Sequence, residues 1–106
     1  MRIVRESAIE AKTVAHAKRK GMLSYKFSSP GNRGVPDRIF LYRGIAFFIE
    51  FKAPGKKPSK LQRFEMDRIE SAGFGAHVVD SAEVGKHAID DIKEQIDAKL
   101  RDSGGV

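Results

Sequence analysis

The sequence predicts an α/β domain (α+β), a β-sheet flanked by helices in the order α-β-β-β-α-β-α. Three observations predict it. Three segments carry helix start or stop signals, two of them at the N-terminal end and one at the C-terminal end. Short alternating or apolar runs lie between them. One such run, residues 45–49, is apolar at every position, as in a strand covered on both faces.

The first element is a helix over residues 5–20. Good helix formers dominate it, Glu6 and Glu10 lie early, and Lys18, Arg19 and Lys20 lie late, matching the helix dipole. Gly21 is placed to end it. Glu6 and Glu10 are four apart and share a face. Residues 23–28 alternate apolar and polar, with Leu23, Tyr25 and Phe27 on one side, and predict a half-buried strand. Residues 29–34 are a loop by their Pro, Gly and Asn content.

Residues 34–52 predict a hairpin turning at Arg43-Gly44, and the chain is organised around it. Residues i and i+2 of a strand share a face. Glu50 and Lys52 therefore project together while Phe51 points to the core. The antiparallel return brings them beside Asp37 at the start of the first strand.

A loop over residues 53–58 carries Lys56 and Lys57. Ser59 and Gln62 then make a capping-box pattern for a helix ending near Gly73, with Leu61, Phe64, Ile69 and Ala72 as its apolar positions and Met66 nearby. Residues 75–80 predict a strand. Asp80-Ser81-Ala82-Glu83 opens the last helix, with Val84, Ala88, Ile92, Ile96 and Leu100 as its apolar face. Residues 1–100 are read as one domain and 101–106 as a flexible tail.

The 106 residues hold no cysteine, which excludes disulfides, thiolate zinc sites and a cysteine nucleophile. No apolar run is long enough to span a membrane and no secretory leader is visible, so a cytoplasmic, intracellular location is expected. The net charge of +6 is polarised. Residues 1–63 hold 15 Lys/Arg against 4 Asp/Glu, and residues 64–106 hold 5 against 10. A basic face around the hairpin suits a polyanion, nucleic acid above all. His16, His77 and His87 share no metal-ligand spacing, and Phe47, Phe48 and Phe51 are core residues.

Asp37 and Glu50 supply two carboxylates, enough to hold a hard cation such as magnesium. The backbone carbonyl of Phe51 could add an oxygen. Lys52 beside them could orient or help deprotonate an attacking water and stabilise charge on a phosphate. A third carboxylate could come from the first helix, with Glu10 preferred over Glu6. Gln62 could reach the same place, in competition with its capping role. Arg33, Arg38, Lys26, Lys56, Lys57 and Lys60 surround the hairpin as candidate DNA contacts.

The stretches KFSSPGNRGVPDRI at residues 26–39 and FIEFKAPGKKPSKLQ at residues 48–62 closely resemble the virus-type replication-repair nuclease domain, VRR-NUC, of the PD-(D/E)xK nuclease superfamily. The resemblance runs from Glu6 to about Asp80. It implies a restriction-endonuclease-like core with a mixed β-sheet, and a Mg2+- or Mn2+-dependent endonuclease that hydrolyses DNA phosphodiester bonds. It maps the metal carboxylates to Asp37 and Glu50, the catalytic lysine to Lys52, an assisting residue to Gln62 and the helix glutamate to Glu10 or Glu6. Small stand-alone members, often phage-encoded, resemble Holliday junction resolvases acting as homodimers, so a four-way-junction enzyme is expected, in the host cytoplasm if phage-encoded. The region around Leu23, Tyr25 and Phe27, or the last helix, is the expected dimer surface. The alternatives are a nuclease on flaps or ordinary duplex, and a DNA-binding module without catalysis.

Overall fold

A computed structural model describes residues 3–104. Helix α1 (Glu6–Arg19) leads into strands β1 (Leu23–Lys26), β2 (Arg38–Tyr42) and β3 (Ile45–Phe51). Helix α2 (Lys60–Ser71), strand β4 (Gly75–Val79) and helix α3 (Ala82–Asp102) follow. The four strands lie in the order β1-β2-β3-β4. The first three form an antiparallel meander, and β4 joins β3 in parallel. The mixed sheet and the element order are those the sequence predicts.

The hairpin closes at Tyr42 paired with Ile45, so Arg43 and Gly44 are a two-residue turn, both at positive φ. That backbone is unusual for an arginine, and the side chains around it explain how it is held. Asp97 on α3 accepts from Tyr42 Oη at 2.8 Å, from Arg43 at 3.0 Å and from Lys93 at 2.9 Å. These three donors hold the Asp97 carboxyl far below the usual carboxylate range.

Strand β3 is buried from Phe47 to Phe51 because helices cover both faces of its length. On one face Phe47, Ile49 and Phe51 pack with Phe40, Ile9 of α1 and Ile89 of α3. On the other, Phe48 packs with Met66 of α2 and Ala76 of β4. Helices α1 and α3 touch at Gly85, where a Cβ would collide with Thr13.

Three local readings change. On α2, Leu61, Phe64 and Ala72 are exposed, and the inward stripe is Gln62, Glu65, Met66 and Ile69. A glutamine belongs to that stripe because it faces a charged residue on β3, and this rotates Leu61 and Phe64 outward. On α3, Val84 is exposed and Ile89 is buried. A four-residue step exceeds the 3.6-residue turn, so the row drifts round the helix and the core-facing set becomes Gly85, Ile89, Ile92 and Ile96. At the C-terminus, α3 continues through Arg101 and Asp102, two residues into the expected tail, and Gly105 and Val106 lie outside the described residues.

Candidate active site

The register builds the site. Arg38 pairs with Ile49, so the next pair outward places Asp37 across from Glu50, on the face covered by α2. Asp37 is fixed by backbone on both sides. Its carbonyl accepts the Phe27 N–H at 2.8 Å, and its Oδ2 accepts the Phe51 N–H at 2.8 Å. Phe51 buries its ring in the core between Glu50 and Lys52. The Lys52 N–H donates to Val79 O on β4, which carries the extended backbone one residue past β3 and keeps Lys52 on the face of Glu50.

Glu50 is 2% exposed. Its Oε2 accepts from Gln62 Nε2 at 2.8 Å and lies 3.5 Å from Lys52 Nζ. Its Oε1 is buried and has no hydrogen-bond partner. Burial raises its pKa to about 7, the charge of Asp37 adds to the shift, Lys52 opposes it, and Glu6 adds a further push. A buried carboxylate with one oxygen unsatisfied, beside a second carboxylate, lacks positive charge. The donor set therefore fits a hard divalent cation held by Asp37 and Glu50. Among the described residues no group of three His, Cys, Asp or Glu comes together as a ready metal cluster. Two carboxylates suffice for magnesium, which keeps several waters.

Glu10 is engaged elsewhere. Arg38 Nε reaches its Oε2 at 2.7 Å and Lys26 Nζ at 2.8 Å. Burial works to raise its pKa, but the bonds and charges of Lys26 and Arg38 outweigh this and lower it. Arg38 faces α1 because it pairs with Ile49, on the opposite face of the sheet from Glu50. Glu6, one turn earlier, acts on Glu50 by its charge and is exposed.

Of the predicted DNA contacts, Lys26 and Arg38 thus share Glu10, while Arg33, Lys56, Lys57 and Lys60 are exposed. Gln62 donates to Glu50 and takes part in the α2 capping box at the same time. Two residues near the site escaped the sequence reading. Arg63 lies beside Lys60 in a cleft, a helical i, i+3 spacing that would have revealed it. Asp80 accepts the Gly55 N–H at 3.2 Å and ties down the Lys56–Lys57 loop, a long-range contact with no local signal. His16 pairs with Asp90 at 2.8 Å, and His77 packs its ring edge-on to Phe47.

A mixed sheet thus presents Asp37, then Glu50 and Lys52, with Gln62 from the following helix, in the arrangement the sequence resemblance leads one to expect. No family model matches the chain. It is 44% identical over 85 residues to the protein named "Putative nuclease p44" of Acyrthosiphon pisum secondary endosymbiont phage 1, covering 79% of this chain and 91% of the phage protein. A solved structure described as a VRR_NUC domain superposes with a TM-score of 0.71 at 28% identity, covering 84% of this chain and 94% of that one. The chain belongs to the VRR-NUC nuclease family, in its phage type.

Proposed function

We propose that this nuclease is a Mg2+- or Mn2+-dependent endonuclease that cuts phosphodiester bonds in branched DNA, with four-way junctions its preferred substrate and a homodimer its working form. The observation that carries the catalytic reading is Glu50: a carboxylate 2% exposed, with Oε1 unpartnered, beside Asp37 and Lys52. A module that only bound DNA would gain nothing from a buried acid that repels phosphate.

In this reading Asp37 and Glu50 hold the cation, with the Phe51 carbonyl and a helix glutamate completing the oxygen set. Bound there, the ion supplies Lewis-acid charge to the phosphate and a nucleophilic water at neutral pH. Lys52 Nζ points its positive charge into the same place, orients the nucleophile and stabilises the negative charge that builds on the phosphate oxygens. Gln62 holds the Glu50 carboxylate in one orientation. Of the two helix glutamates, Glu6 is the one that forms no ion pair among the described residues and has an electrostatic effect on Glu50. Glu10 clamps Arg38, the neighbour of Asp37, to α1.

Dimerisation is supported by one surface. Helix α2 packs over β3 and β4 and leaves the same face of β1 and β2 bare, with Leu23, Tyr25 and Leu41 exposed. Phe27, expected with them, turns inward onto Phe48 at a ring-centroid distance of 5.1 Å. A two-fold dimer presents two sites for two symmetric cuts.

The test is cleavage of a four-way junction, a flap and a linear duplex of matched sequence with magnesium or manganese. Paired symmetric nicks in the junction, absent in Lys52→Ala and Asp37→Ala, are expected. Equal cutting of all three substrates would replace the junction reading by a flap or duplex nuclease. Metal-indifferent binding without cutting would replace it by a binding module.

A further inference from the structure

A cleft of about 560 Å3 opens beside the start of α2, and its eight lining residues include Lys56, Lys57, Lys60, Arg63, Val78 and Asp80. Four of the eight lining residues are cations, and among the described residues none of the four forms an ion pair. Asp80 is the one acid among the lining residues, and its Oδ2 accepts the Gly55 N–H. That bond holds the loop carrying Lys56 and Lys57 against the cleft.

The position of the cleft is fixed by two relationships. Val78 is paired with Glu50 in the β3–β4 register. Lys60 and Arg63 flank Gln62 along α2, and Gln62 reaches Glu50. Across the sheet the order is Asp37 on the β2 side, Glu50 on β3, Val78 on β4. The cleft thus lies next to the catalytic carboxylates, on the flank away from Asp37. On the opposite face of the sheet, toward α1, Lys26 and Arg38 have part of their charge taken by Glu10.

We propose that this cleft is a phosphate subsite that grips the cut strand on one flank of the scissile bond, with Lys56, Lys57, Lys60 and Arg63 contacting consecutive backbone phosphates. This rests on the endonuclease reading above and adds to it where the strand runs. Among the described residues no aromatic ring lines the cleft to stack on a base. The grip is therefore on backbone charge and is indifferent to sequence.

Salt dependence of binding tests it without turnover. Anisotropy of a fluorescein-labelled junction is measured against NaCl, with calcium in place of magnesium. Each phosphate contact contributes about 0.9 to the slope of log K against log salt. Lys60→Gln/Arg63→Gln is expected to flatten the slope by about two, whereas the charge-matched Lys12→Gln/Lys99→Gln, on exposed positions of α1 and α3, leaves it in place. Neutral methylphosphonates placed stepwise around the cut site are expected to weaken wild-type binding on one flank only, an asymmetry lost in the cleft variant. An unchanged slope in Lys60→Gln/Arg63→Gln, equal loss in the control pair, or equal sensitivity on both flanks overturns the subsite. Wild-type protein that cuts DNA while giving any of these results keeps the endonuclease reading. Wild-type protein that neither binds nor cuts DNA overturns both.

Discussion

Gln62 uses both ends of its amide at once: Oε1 accepts the Ser59 N–H at 2.9 Å while Nε2 donates to Glu50 Oε2 at 2.8 Å. The sequence suggested that capping and site roles compete for this side chain. They do not, because a primary amide carries its acceptor and its donors on different atoms. The start of α2 and the orientation of Glu50 are thereby one structural unit. Gln62→Ala should lower stability by about 1 kcal/mol through the lost cap and lower activity roughly ten- to a hundredfold through the loosened carboxylate. Ser59→Ala removes the reciprocal bond from the Gln62 N–H and leaves the one to Glu50, so it should match the stability loss with activity nearly retained. Denaturant unfolding and cleavage rates on both variants check this. Equal activity losses would assign Gln62 to capping alone.

Glu50 should make stability fall as pH rises. Its folded pKa, about 7, lies above the ordinary 4.5, so the folded protein binds the extra proton between them. The contribution is fully present below about pH 4.5 and is lost as pH rises through 7, up to about 3 kcal/mol in all. Glu50→Gln should therefore abolish cleavage yet melt higher than wild type above neutrality, with no such gain in acid. Magnesium should recover the wild-type melting temperature in the alkaline range and leave Glu50→Gln unmoved. Calorimetry across pH with and without the metal reads both effects. A Glu50→Gln protein less stable than wild type in alkali would mean that burial is not penalising this charge.

What the sequence made legible follows from locality. The capping box of Ser59 and Gln62, the turn at Arg43-Gly44 and the alternation that puts Glu50 and Lys52 on one face are all written within a few residues, and the elements appear where those signals put them. The convergence of Asp37 with Glu50 needs only one further assumption, an antiparallel return. The assignment of Glu10 was not legible in the same way. It depends on Arg38 facing α1, which follows from the helix layers rather than from any spacing along α1. The inward stripe of α2 was misread because a hydrophobic pattern gives no weight to a glutamine, and Gln62 occupies a packing position for electrostatic reasons.

The two α1 glutamates should separate experimentally. Glu10→Ala leaves the half-buried Arg38 guanidinium without its partner and should cost about 1–3 kcal/mol of stability. Glu6→Gln removes an exposed charge that only raises Glu50, so stability should hold while the metal concentration needed for half-maximal cleavage shifts. Metal titrations of activity beside thermal melts distinguish the pair. A metal shift in Glu10→Ala, with none in Glu6→Gln, would return the ligand role to Glu10.

The bare face of β1 and β2 gives the dimer a direct test. Tyr25→Asp/Leu41→Asp places charge on residues that are exposed in the single chain, so folding should be unharmed. Sedimentation should then show a monomer in place of a dimer, and junction cutting should change from paired to single nicks. A dimer that survives both charges would move the interface to α3.

Gly34 ties the loop that leads to Asp37 onto α2. Its φ is +89°, and a Cβ there would lie 3.0 Å from the Leu61 backbone carbon, carbonyl oxygen and Cγ. The neighbours include helix backbone, which cannot step aside cheaply, and the loop residues that follow lead straight to Asp37. Gly31 in the same loop is also left-handed, at +81°, but has no atom within 4 Å of an added Cβ. The pair separates conformational strain from contact. Gly31→Ala should cost about 1 kcal/mol, the strain alone, and leave cleavage unchanged. Gly34→Ala adds the clash and should cost roughly 2–4 kcal/mol. It should also slow cleavage, because relief of the clash lifts the loop from α2 and moves Asp37 away from Glu50. Equal stability losses in the two variants, with equal activity, would show that the loop can yield at Leu61 without disturbing the site.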